Sequence, residues 1–455
     1  RRMTGMKFKF KFGEFFLGLA TLIVIVLSIM LWIFIMTSDQ RFSNIGQQNQ
    51  NNVTKEQSRN HSSKSLYDLY IPTTSYGFAN GNLCQLYDSK NNLTLEFTKE
   101  IKKTKATNKI KKIVNTRAKY EEYLNNPNYV QLVYPDEITF SLFNQLNNAA
   151  NDNREFNRFF ISQSNHWIYL GNDQTNEIYQ VKIAGANFDK LRKYARNAKS
   201  KYPVRLVRLK EGYSPFYIKT MNAKVYSYLT NHQSYSYFVS RLLGTSGVTS
   251  KTNKNGQTVY SLNYYIRLRV PDSNSGEHNY LYTHYEKNKI PNTTNRLLDS
   301  VYYVHQLGLT EQDLRFFDAD GANVSYLNYI EGIPVFLNKH DLQVKTTFST
   351  DSINVAFNSV NFQIPIPFDG QTKQLRSTQD VVDDLANHGL KQENIQRIIV
   401  GFTEEKDSSH HSLINLIPTY YIKAYDEWKS LGEWEKQDVS TYREADQLTV
   451  NEGGK

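Results

Sequence analysis

The sequence predicts an α+β fold, in which one N-terminal transmembrane helix precedes a multidomain ectodomain built on mainly antiparallel sheets with packed helices. Three features support this class. Residues 15–36 form one uninterrupted apolar run in a polar chain of 455 residues. From residue 66 onward, apolar positions recur with periods of both two and 3.6, which indicates strands and helices together. Asn-Gly dipeptides at 80–81 and 255–256 separate strand-like stretches, and tight antiparallel hairpins prefer such dipeptides.

The apolar run has the length and composition of a membrane-spanning helix. Its 22 residues carry no charge, and fifteen of them are Leu, Ile, Val or Phe. At about 1.5 Å per residue they form a helix of roughly 33 Å, enough to cross a hydrocarbon core of about 30 Å. A cleaved signal peptide is the alternative, but the flank MTSDQRF offers no clear small-residue cleavage site. We therefore expect a membrane anchor at 15–36.

The basic residues beside the run predict its orientation. Five of them precede it, at positions 1, 2, 7, 9 and 11, whereas two follow within about 20 residues. Residues 1–14 are therefore predicted to be a cytoplasmic basic segment. We expect a single-pass protein of the cell membrane with the bulk of the chain extracytoplasmic.

One face of the predicted anchor carries small residues. Positions spaced three and four apart lie on the same side of a helix, and they are Gly18, Thr21, Ile25, Ser28 and Trp32. Small residues allow membrane helices to approach closely, so this face is a candidate partner-binding site. The alternative is a plain anchor in which the small residues are incidental.

The rest of the chain divides by composition. Residues 37–65 are rich in Asn, Gln and Ser and cannot build a core, so they are predicted to be a polar tether, with a polar juxtamembrane helix as the alternative. Ectodomain boundaries are expected near Tyr202 and Tyr329, and the tail is expected to be disordered. The predicted segments are an N-terminal domain at 66–202, a central domain at 203–329, a C-terminal domain at 330–440 and a tail at 441–455.

Local patterns predict the individual elements of the ectodomain. A lysine-rich stretch at 99–125 is expected to be helical, and 129–134 is expected to be a strand that ends at Pro135. A helix beginning near 188 is expected to stop at Pro203. Further expectations are two strands within 167–183, a strand at 204–209, a helix closed by Gly244, a helix at 296–309, and a helix followed by strands after 378.

Charge and cysteine content exclude some classes of protein. The formal charge of +10 falls to about +6 once the first 14 residues are set aside, which is too weak for a nucleic-acid-binding surface. The chain has one cysteine, so no intramolecular disulfide is possible. Cys84 is expected to be a small buried hydrophobic residue, with an intermolecular bridge as the alternative. The lysines from 102 to 112 could contact anionic lipids or wall polymers, or form a solvated helix face.

Motifs for catalysis or metal binding are incomplete. Gly212–Phe216 begins like a nucleophile elbow but lacks the second glycine. Asp318–Gly321 begins like a calcium loop, but Ala322 and Tyr329 occupy positions that need ligands, so a strand-joining turn is expected. Two histidine pairs are expected to be ordinary solvent-facing or core-edge residues: His410 with His411, and His278 with His284. The sequence therefore predicts no enzyme activity, no metal and no cofactor.

Two Tyr-rich phrases in the C-terminal third carry a family resemblance. Gly332–Phe336 has the pattern G-x-PVF, and Pro418–Trp428 has the pattern P-x-YYIK-x(4)-W. With the basic N-terminus, one anchor helix and a polar tether, the chain resembles the YycH family of Gram-positive bacteria over essentially its whole length.

This resemblance implies an accessory regulator of the WalK/WalR (YycG/YycF) two-component system, which controls cell-wall metabolism. The implied partners are a WalK-like sensor histidine kinase and a YycI-like membrane protein, contacted through the transmembrane helix and the ectodomain. The resemblance implies several α+β domains on antiparallel sheets and lends no functional residue to a position of this chain. A second hypothesis is an anchored surface protein that binds or modifies cell-wall polymers.

Overall fold

The computed structural model describes a large part of the predicted ectodomain. The described residues all belong to one compact unit, Ser58–Lys455. The anchor at 15–36, with its candidate face of Gly18, Thr21, Ile25, Ser28 and Trp32, and the tether lie outside them. Within the described ranges, no helix is both long and apolar enough to span a bilayer. The described residues are 66, 68–88, 91–143, 152–272, 275, 277–309, 313–337, 342–366, 371–407, 410, 412–440 and 442.

The described chain is mainly β-structure with interspersed helices. The strands are β1 Thr74–Ala79, β2 Asn82–Tyr87, β3 Lys105–Ala106, β4 Lys111–Val114, β5 Val130–Thr139, β6 Glu155–Ile161, β7 Trp167–Asn172, β8 Glu177–Ala184, β9 Ser200–Leu209, β10 Gly212–Tyr217, β11 Met221–Lys224, β12 Tyr226–His232, β13 Thr249–Thr252, β14 Thr258–Ser261, β15 Ile266–Val270, β16 Asn279–Tyr285, β17 Leu314–Asp320, β18 Asn323–Ile330, β19 Ile333–Phe336, β20 Val344–Phe348, β21 Ser352–Asn358, β22 Val360–Ile366, β23 Thr372–Leu375, β24 Ile395–Lys406, β25 Leu413–Ala424 and β26 Glu427–Ser430. The helices are α1 Leu93–Ile101, α2 Arg117–Leu124, α3 Asp189–Asn197, α4 Tyr235–Leu243, α5 Thr293–Leu307, α6 Thr378–Asn387 and α7 Leu431–Trp434.

The first sheet contains ten strands in the order β10-β9-β2-β1-β5-β6-β7-β8-β3, with β4 beside β8. The hairpin β1–β2 turns at Asn80 and Gly81, whose φ angles are 50° and 78°. Asparagine and glycine tolerate this left-handed conformation better than other residues, which explains why the dipeptide predicted the turn correctly. Cys84 on β2 is buried, as predicted. Helices α1 and α3 pack against each other and contact β1.

The second sheet contains fourteen strands, ordered β13-β14-β15-β16-β21-β20-β18-β19-β24-β25-β12-β22, with β17 beside β18 and β26 beside β25. Its pairings are antiparallel except for the parallel pair β19–β24. Strands β11 and β23 form a separate two-stranded sheet. Mainly antiparallel sheets with packed helices confirm the predicted α+β class.

The largest hydrophobic core extends from the first sheet to the second. It includes Phe97 and Phe159 on one side and Val301 and Tyr326 on the other. Tyr70, which precedes β1, belongs to this core and contacts the second sheet: its ring centroid is 5.0 Å from that of Phe316, and its hydroxyl is 3.0 Å from that of Tyr326. The two sheets therefore share apolar packing and do not meet only at a polar surface.

Several local expectations were wrong. The stretch 99–125 forms the end of α1, the short strands β3 and β4, and then α2, because β3 and β4 pair with β8, about 70 residues away. Pro135 lies inside β5, where the register with β6 shifts between Val133 and Ile138, and such irregularities accommodate proline. Helix α3 ends at Asn197, and Pro203 lies within β9. The other expected helices and strands are present.

The division into domains at 66–202, 203–329 and 330–440 remains a proposal. Strand β9 runs across the first proposed boundary, and the second boundary lies within β18. The turn after β9 also contacts the second sheet, since the Lys210 nitrogen donates to the Ile395 carbonyl at 3.2 Å. This contact helps to build the polar site at the junction of the two sheets.

Candidate functional site

A polar cavity of about 210 Å³ lies where the first sheet meets the second. Strands β5 and β6 contribute side chains from one sheet, and β17, β24 and β25 contribute them from the other. Helix α5 and two turns complete the wall. The lining residues are Asp136, Glu137, Glu155, Gln174, Glu211, Thr293, Arg296, Ala319, Asp320, Arg397 and Lys423.

The Arg397 guanidinium contacts three carboxylates that come from distant parts of the chain. One terminal nitrogen donates to Asp136, Nε lies 3.2 Å from Glu211 Oε2, and the other terminal nitrogen lies 3.6 Å from Asp318 Oδ1. That nitrogen also donates to the Pro135 carbonyl at 2.7 Å. Burial opposes the charge, but the carboxylates of Asp136, Asp318 and Glu211 outweigh it and raise the pKa of Arg397. Arg397 therefore stays charged and joins β24 to β5 and β17.

Lys423 on β25 is the second buried cation of the junction. Its side chain is 3% exposed, and Nζ lies 3.2 Å from Glu211 Oε2 and 3.4 Å from Asp318 Oδ1. Burial lowers the pKa of Lys423, but the neighbouring Asp318 more than compensates and leaves the pKa raised. Asp136, Glu211, Asp318, Arg397 and Lys423 are hereafter called the charged cluster.

Two carboxyl groups at this junction have raised pKa values. Burial, followed by the neighbouring Asp136 and Glu155 carboxylates, raises the pKa of Glu137 to about 8. Burial and Asp136 raise the pKa of Asp318 to about 6, although Lys423 and Arg397 act in the opposite direction. Oε1 of Glu137 is buried and has no hydrogen-bond partner within the described part of the chain. Glu137 is therefore mainly protonated at neutral pH.

The charged cluster links the sheets by hydrogen bonds as well as by ion pairs. Asp136 Oδ2 accepts from the Ala319 backbone nitrogen at 2.8 Å, which joins β5 to β17. Glu211 Oε1 accepts from the Gln396 side chain at 2.6 Å. Buried ion pairs are sensitive to the loss of either partner because the remaining charge is left uncompensated. The charged cluster thus holds the two sheets together by ion pairs whose strength depends on the protonation of its carboxyl groups.

A second buried ion pair lies inside the first sheet. Arg158 donates from Nε to Asp173 Oδ1 at 2.8 Å and from a terminal nitrogen to Oδ2 at 2.6 Å. The other terminal nitrogen donates to Gln131 Oε1 at 2.9 Å, and Tyr120 donates to Asp173. Both charged side chains are nearly inaccessible, at 1% and 2% exposure. The partners come from the first sheet, from the turn after β7 and from α2, so this pair is part of the core on that side of the molecule.

Sequence reasoning missed the charged cluster. Its members are scattered from position 136 to position 423, so no local spacing brings them together. The sequence gives one weak indication of buried cations. Arg397 lies between Ile395 and Ile398, and Lys423 directly follows Ile422. A cation inside an apolar strand usually has a buried partner.

The two motif-like segments have structural roles. Gly212–Phe216 belongs to β10, and the buried Ser214 hydroxyl accepts from the Ile398 backbone nitrogen at 3.2 Å. Asp320 and Gly321 lie at the β17–β18 turn, as predicted, whereas Asp318 belongs to the charged cluster. No group of three or more His, Cys, Asp or Glu within the described residues could hold a metal ion.

The remaining candidates do not converge on a site. The rings of His278 and His232 stack at 3.4 Å, and burial lowers the pKa of both, to about 4 for His232. His284 lies at the end of β16, and the exposed His410 ring is 3.6 Å from Asp407. His411 lies outside the described residues. Among the lysines from 102 to 112, three form ion pairs: Lys102 with Asp68, Lys103 with Glu100 and Lys112 with Glu177.

The fold and the site define the class of protein: an α+β protein with two large sheets that are joined by the buried charged cluster. Comparison with known proteins identifies the family. The family model "YycH protein, N-terminal domain" matches residues 15–200, and "YycH protein, C-terminal domain" matches residues 210–438. The chain therefore belongs to the YycH family, a family of accessory regulators of the WalK sensor kinase in two-component signalling related to the cell wall.

A solved structure supports the fold. The crystal structure of YycH from Bacillus subtilis matches with a TM-score of 0.66 and 15% sequence identity, covering 80% of this chain and 96% of that chain. At this identity the likeness concerns the fold alone. No curated protein sequence matches the chain.

Proposed function

We propose that this chain is a membrane-anchored accessory regulator of a WalK-like sensor histidine kinase, and that it controls cell-wall metabolism by protein–protein contacts. In this proposal residues 15–36 span the membrane once, with the N-terminus cytoplasmic and the ectodomain outside. A YycI-like membrane protein acts with it. The match of both YycH family models carries the proposal.

The proposed mechanism is unequal binding to the signalling states of the kinase. A partner with equal affinity for both states would shift nothing. A coupling of about 1 to 3 kcal/mol would change the ratio of states by about 5 to 150 fold. Regulation of this kind needs contact surfaces rather than a reaction centre, so we expect no enzyme activity.

Photo-crosslinking in intact membranes tests the proposal. We expect the full chain to crosslink to the kinase and to the YycI-like partner, and deletion of the gene to change phosphorylation of the response regulator. Pull-down of the chain on purified cell walls tests the wall-polymer hypothesis in parallel. Wall binding without any crosslink to the kinase, and unchanged phosphorylation, would contradict the proposal.

Removing the anchor provides a second test. Exporting the chain without residues 1–36 should abolish most kinase control, because tethering in one membrane keeps two partners at a high effective concentration. Phosphorylation of the response regulator is the measurement, with the full chain expressed at the same level as the control. Full regulation by the secreted fragment would contradict a requirement for the anchor.

A further inference from the structure

Strands β13 to β16 at the free end of the second sheet carry an exposed basic face. The register places Lys251 opposite Val259 and Val259 opposite Arg269, while Arg267 lies opposite Ser261. Residues directly opposite in an antiparallel sheet share a face, as do residues two apart. Lys251, Arg267 and Arg269 therefore point to the same side of the sheet, and all three are exposed. These three residues are called the basic face.

The opposite side of the same strands belongs to the protein core. Leu268 is fully buried there, Tyr260 packs against the same core cluster, and Tyr282 is 5% exposed. The basic face thus lies on the outer side of the sheet. It borders a shallow depression of about 340 Å³ lined by Thr249, Ser250, Lys251, Val259, Ser261 and Arg267.

The cations of the basic face are not neutralised by nearby acids. None of the three forms an ion pair with a carboxylate in the ranges that the structure describes. Over residues 249–292 the sequence contains six Lys and Arg against three Asp and Glu. Asp351, exposed at the neighbouring β20–β21 turn, accepts from the Ser349 hydroxyl at 2.6 Å. The local field of this surface therefore favours an anionic partner.

Exposed tyrosines adjoin the basic face at the β14–β15 turn. Tyr264 is 87% exposed and Tyr265 is 63% exposed. The Tyr285 nitrogen donates to the Tyr265 carbonyl at 2.7 Å, and the Arg267 guanidinium lies 5.2 Å from the centre of the Tyr285 ring. Ile290, in the loop that follows β16, is also 46% exposed. Tyr264 and Tyr265 are called the tyrosine turn.

We propose that the basic face and the tyrosine turn together dock on an anionic lipid surface. Lysine and arginine are attracted to anionic headgroups, and tyrosine is favoured at the membrane interface because its ring is apolar and its hydroxyl is polar. A phosphate polymer in water would satisfy the cations but would offer the tyrosine rings no apolar layer. This inference rests on the proposed anchor at 15–36, which keeps the surface within reach of a bilayer.

Fluorescence quenching in lipid nanodiscs tests the docking surface. The full chain is placed in discs of phosphatidylcholine, alone or with phosphatidylglycerol, that contain a headgroup-quencher lipid, and no kinase is present. A fluorophore is attached at Thr249→Cys, an exposed position opposite Ser261 beside the basic face, or at Lys119→Cys on the exposed side of α2 as the control position. Because Cys84 is buried, the introduced cysteine is the reactive one. We expect quenching at position 249, but not at 119, and only with phosphatidylglycerol.

Matched variants separate the surface from general electrostatic attraction. Replacing Lys251, Arg267 and Arg269 with Gln should lower the docked population roughly tenfold or more, because each cation contributes up to about 1 kcal/mol at an anionic surface. Tyr265→Ser should also reduce quenching. The control replaces Lys105, Lys109 and Lys111 with Gln, which removes the same charge from another exposed region and should have little effect.

Distinct results would overturn the proposal. Equal quenching at 249 and 119, or equal losses in the basic-face variant and the lysine control, would show that no particular surface docks. Suppression of quenching by soluble poly(glycerol phosphate) at equal phosphate concentration would identify a wall-type polymer as the preferred partner. A chain that does not co-elute with the discs would contradict the anchor as well, whereas a chain that co-elutes without site-specific quenching contradicts the surface alone.

Discussion

Glu137 shows how a carboxyl group can stay neutral beside strongly charged neighbours. Its pKa is raised to about 8 by burial and by Asp136 and Glu155, whereas a glutamate in the unfolded chain ionises near its ordinary value of 4.5. The folded state therefore binds this proton more tightly than the unfolded state. By linkage, the stabilisation is complete below about pH 4.5 and is lost progressively as the pH rises towards 8.

Replacing Glu137 with Gln should flatten the dependence of stability on pH. Glutamine keeps the size and hydrogen-bonding capacity of the protonated acid but cannot ionise. We expect the variant to be more stable than the parent by about 4 kcal/mol at pH 8 and by less than about 1 kcal/mol at pH 5, since the pKa is raised from 4.5 to about 8 and one pKa unit corresponds to about 1.4 kcal/mol. Urea unfolding of the full chain in detergent, at intervals from pH 5 to 8, measures this difference.

The exposed Glu122 on α2 provides the control for that experiment. Glu122→Gln makes the same substitution at a solvent-exposed position, so it shows what the replacement does where the side chain is not buried. Parallel profiles for Glu137→Gln and the parent would show that Glu137 does not hold its proton in the folded state.

At the residue scale, sequence reasoning identified local roles but not distant partners. The burial of Cys84 followed from its being the single cysteine of a chain predicted to be exported. The turn at Asp320 and Gly321 followed from local composition, yet the same reasoning assigned Asp318 to that turn. Asp318 instead pairs with Arg397 and Lys423, which lie about 80 and 105 residues away. A single sequence does not indicate which distant strands pair with each other.

At the scale of elements, the end of helix α5 depends on one glycine. Gly308 caps this helix with φ 72°. A Cβ at this position would collide with the Tyr237 hydroxyl and the Arg241 guanidinium of α4. Arg241 donates to the Gln306 and His305 carbonyls at 2.7 and 3.1 Å. The glycine therefore permits both the left-handed cap and the contact between α4 and α5.

Gly308→Ala should destabilise the chain by about 2 to 4 kcal/mol, because the left-handed conformation costs about 1 to 2 kcal/mol and the carbonyl contacts of Arg241 are disturbed. Gly321→Ala is the matched control. Gly321 also has a positive φ, 52°, but no atom lies within 4 Å of an added Cβ, so only the conformational cost of about 1 kcal/mol applies. Thermal unfolding of both variants measures the difference. Equal losses would mean that the contact with α4 contributes nothing.

The elements themselves were predicted best where the signal is local. The tight hairpin at Asn80-Gly81 and the cap at Gly244 depend on a few neighbouring residues and were correct. The hairpin at Asn255-Gly256 is present, but its turn spans residues 253–257 and of the dipeptide only Gly256 has a positive φ. The stretch 99–125 was wrong because its lysines suit a helix, whereas pairing of β3 and β4 with β8 decides its conformation. Strand pairing across about 70 residues is a tertiary effect that overrides local preference.

At the scale of the whole molecule, the charged cluster and the shared apolar core join the two sheets. Arg397 and Asp136 bridge β24 and β5, so the surfaces that the two sheets offer to a partner belong to one connected structure. Such a structure suits a protein proposed to act by binding. In the proposed function, the anchor keeps the two sheets close to partners in the same membrane.

The predicted face of the anchor can be tested apart from anchoring. Replacing Gly18 and Ser28 with Leu keeps the run apolar but fills the positions where a second helix could approach closely. We expect the variant to remain in the membrane while its co-purification with the kinase or the YycI-like partner falls by roughly tenfold, corresponding to about 1.4 kcal/mol. An anchor in which Leu19 and Leu22, on other sides of the helix, are replaced with Ile is the control. Unchanged association in the Gly18 and Ser28 variant would show that the segment serves only as an anchor and that the chain after it carries the recognition.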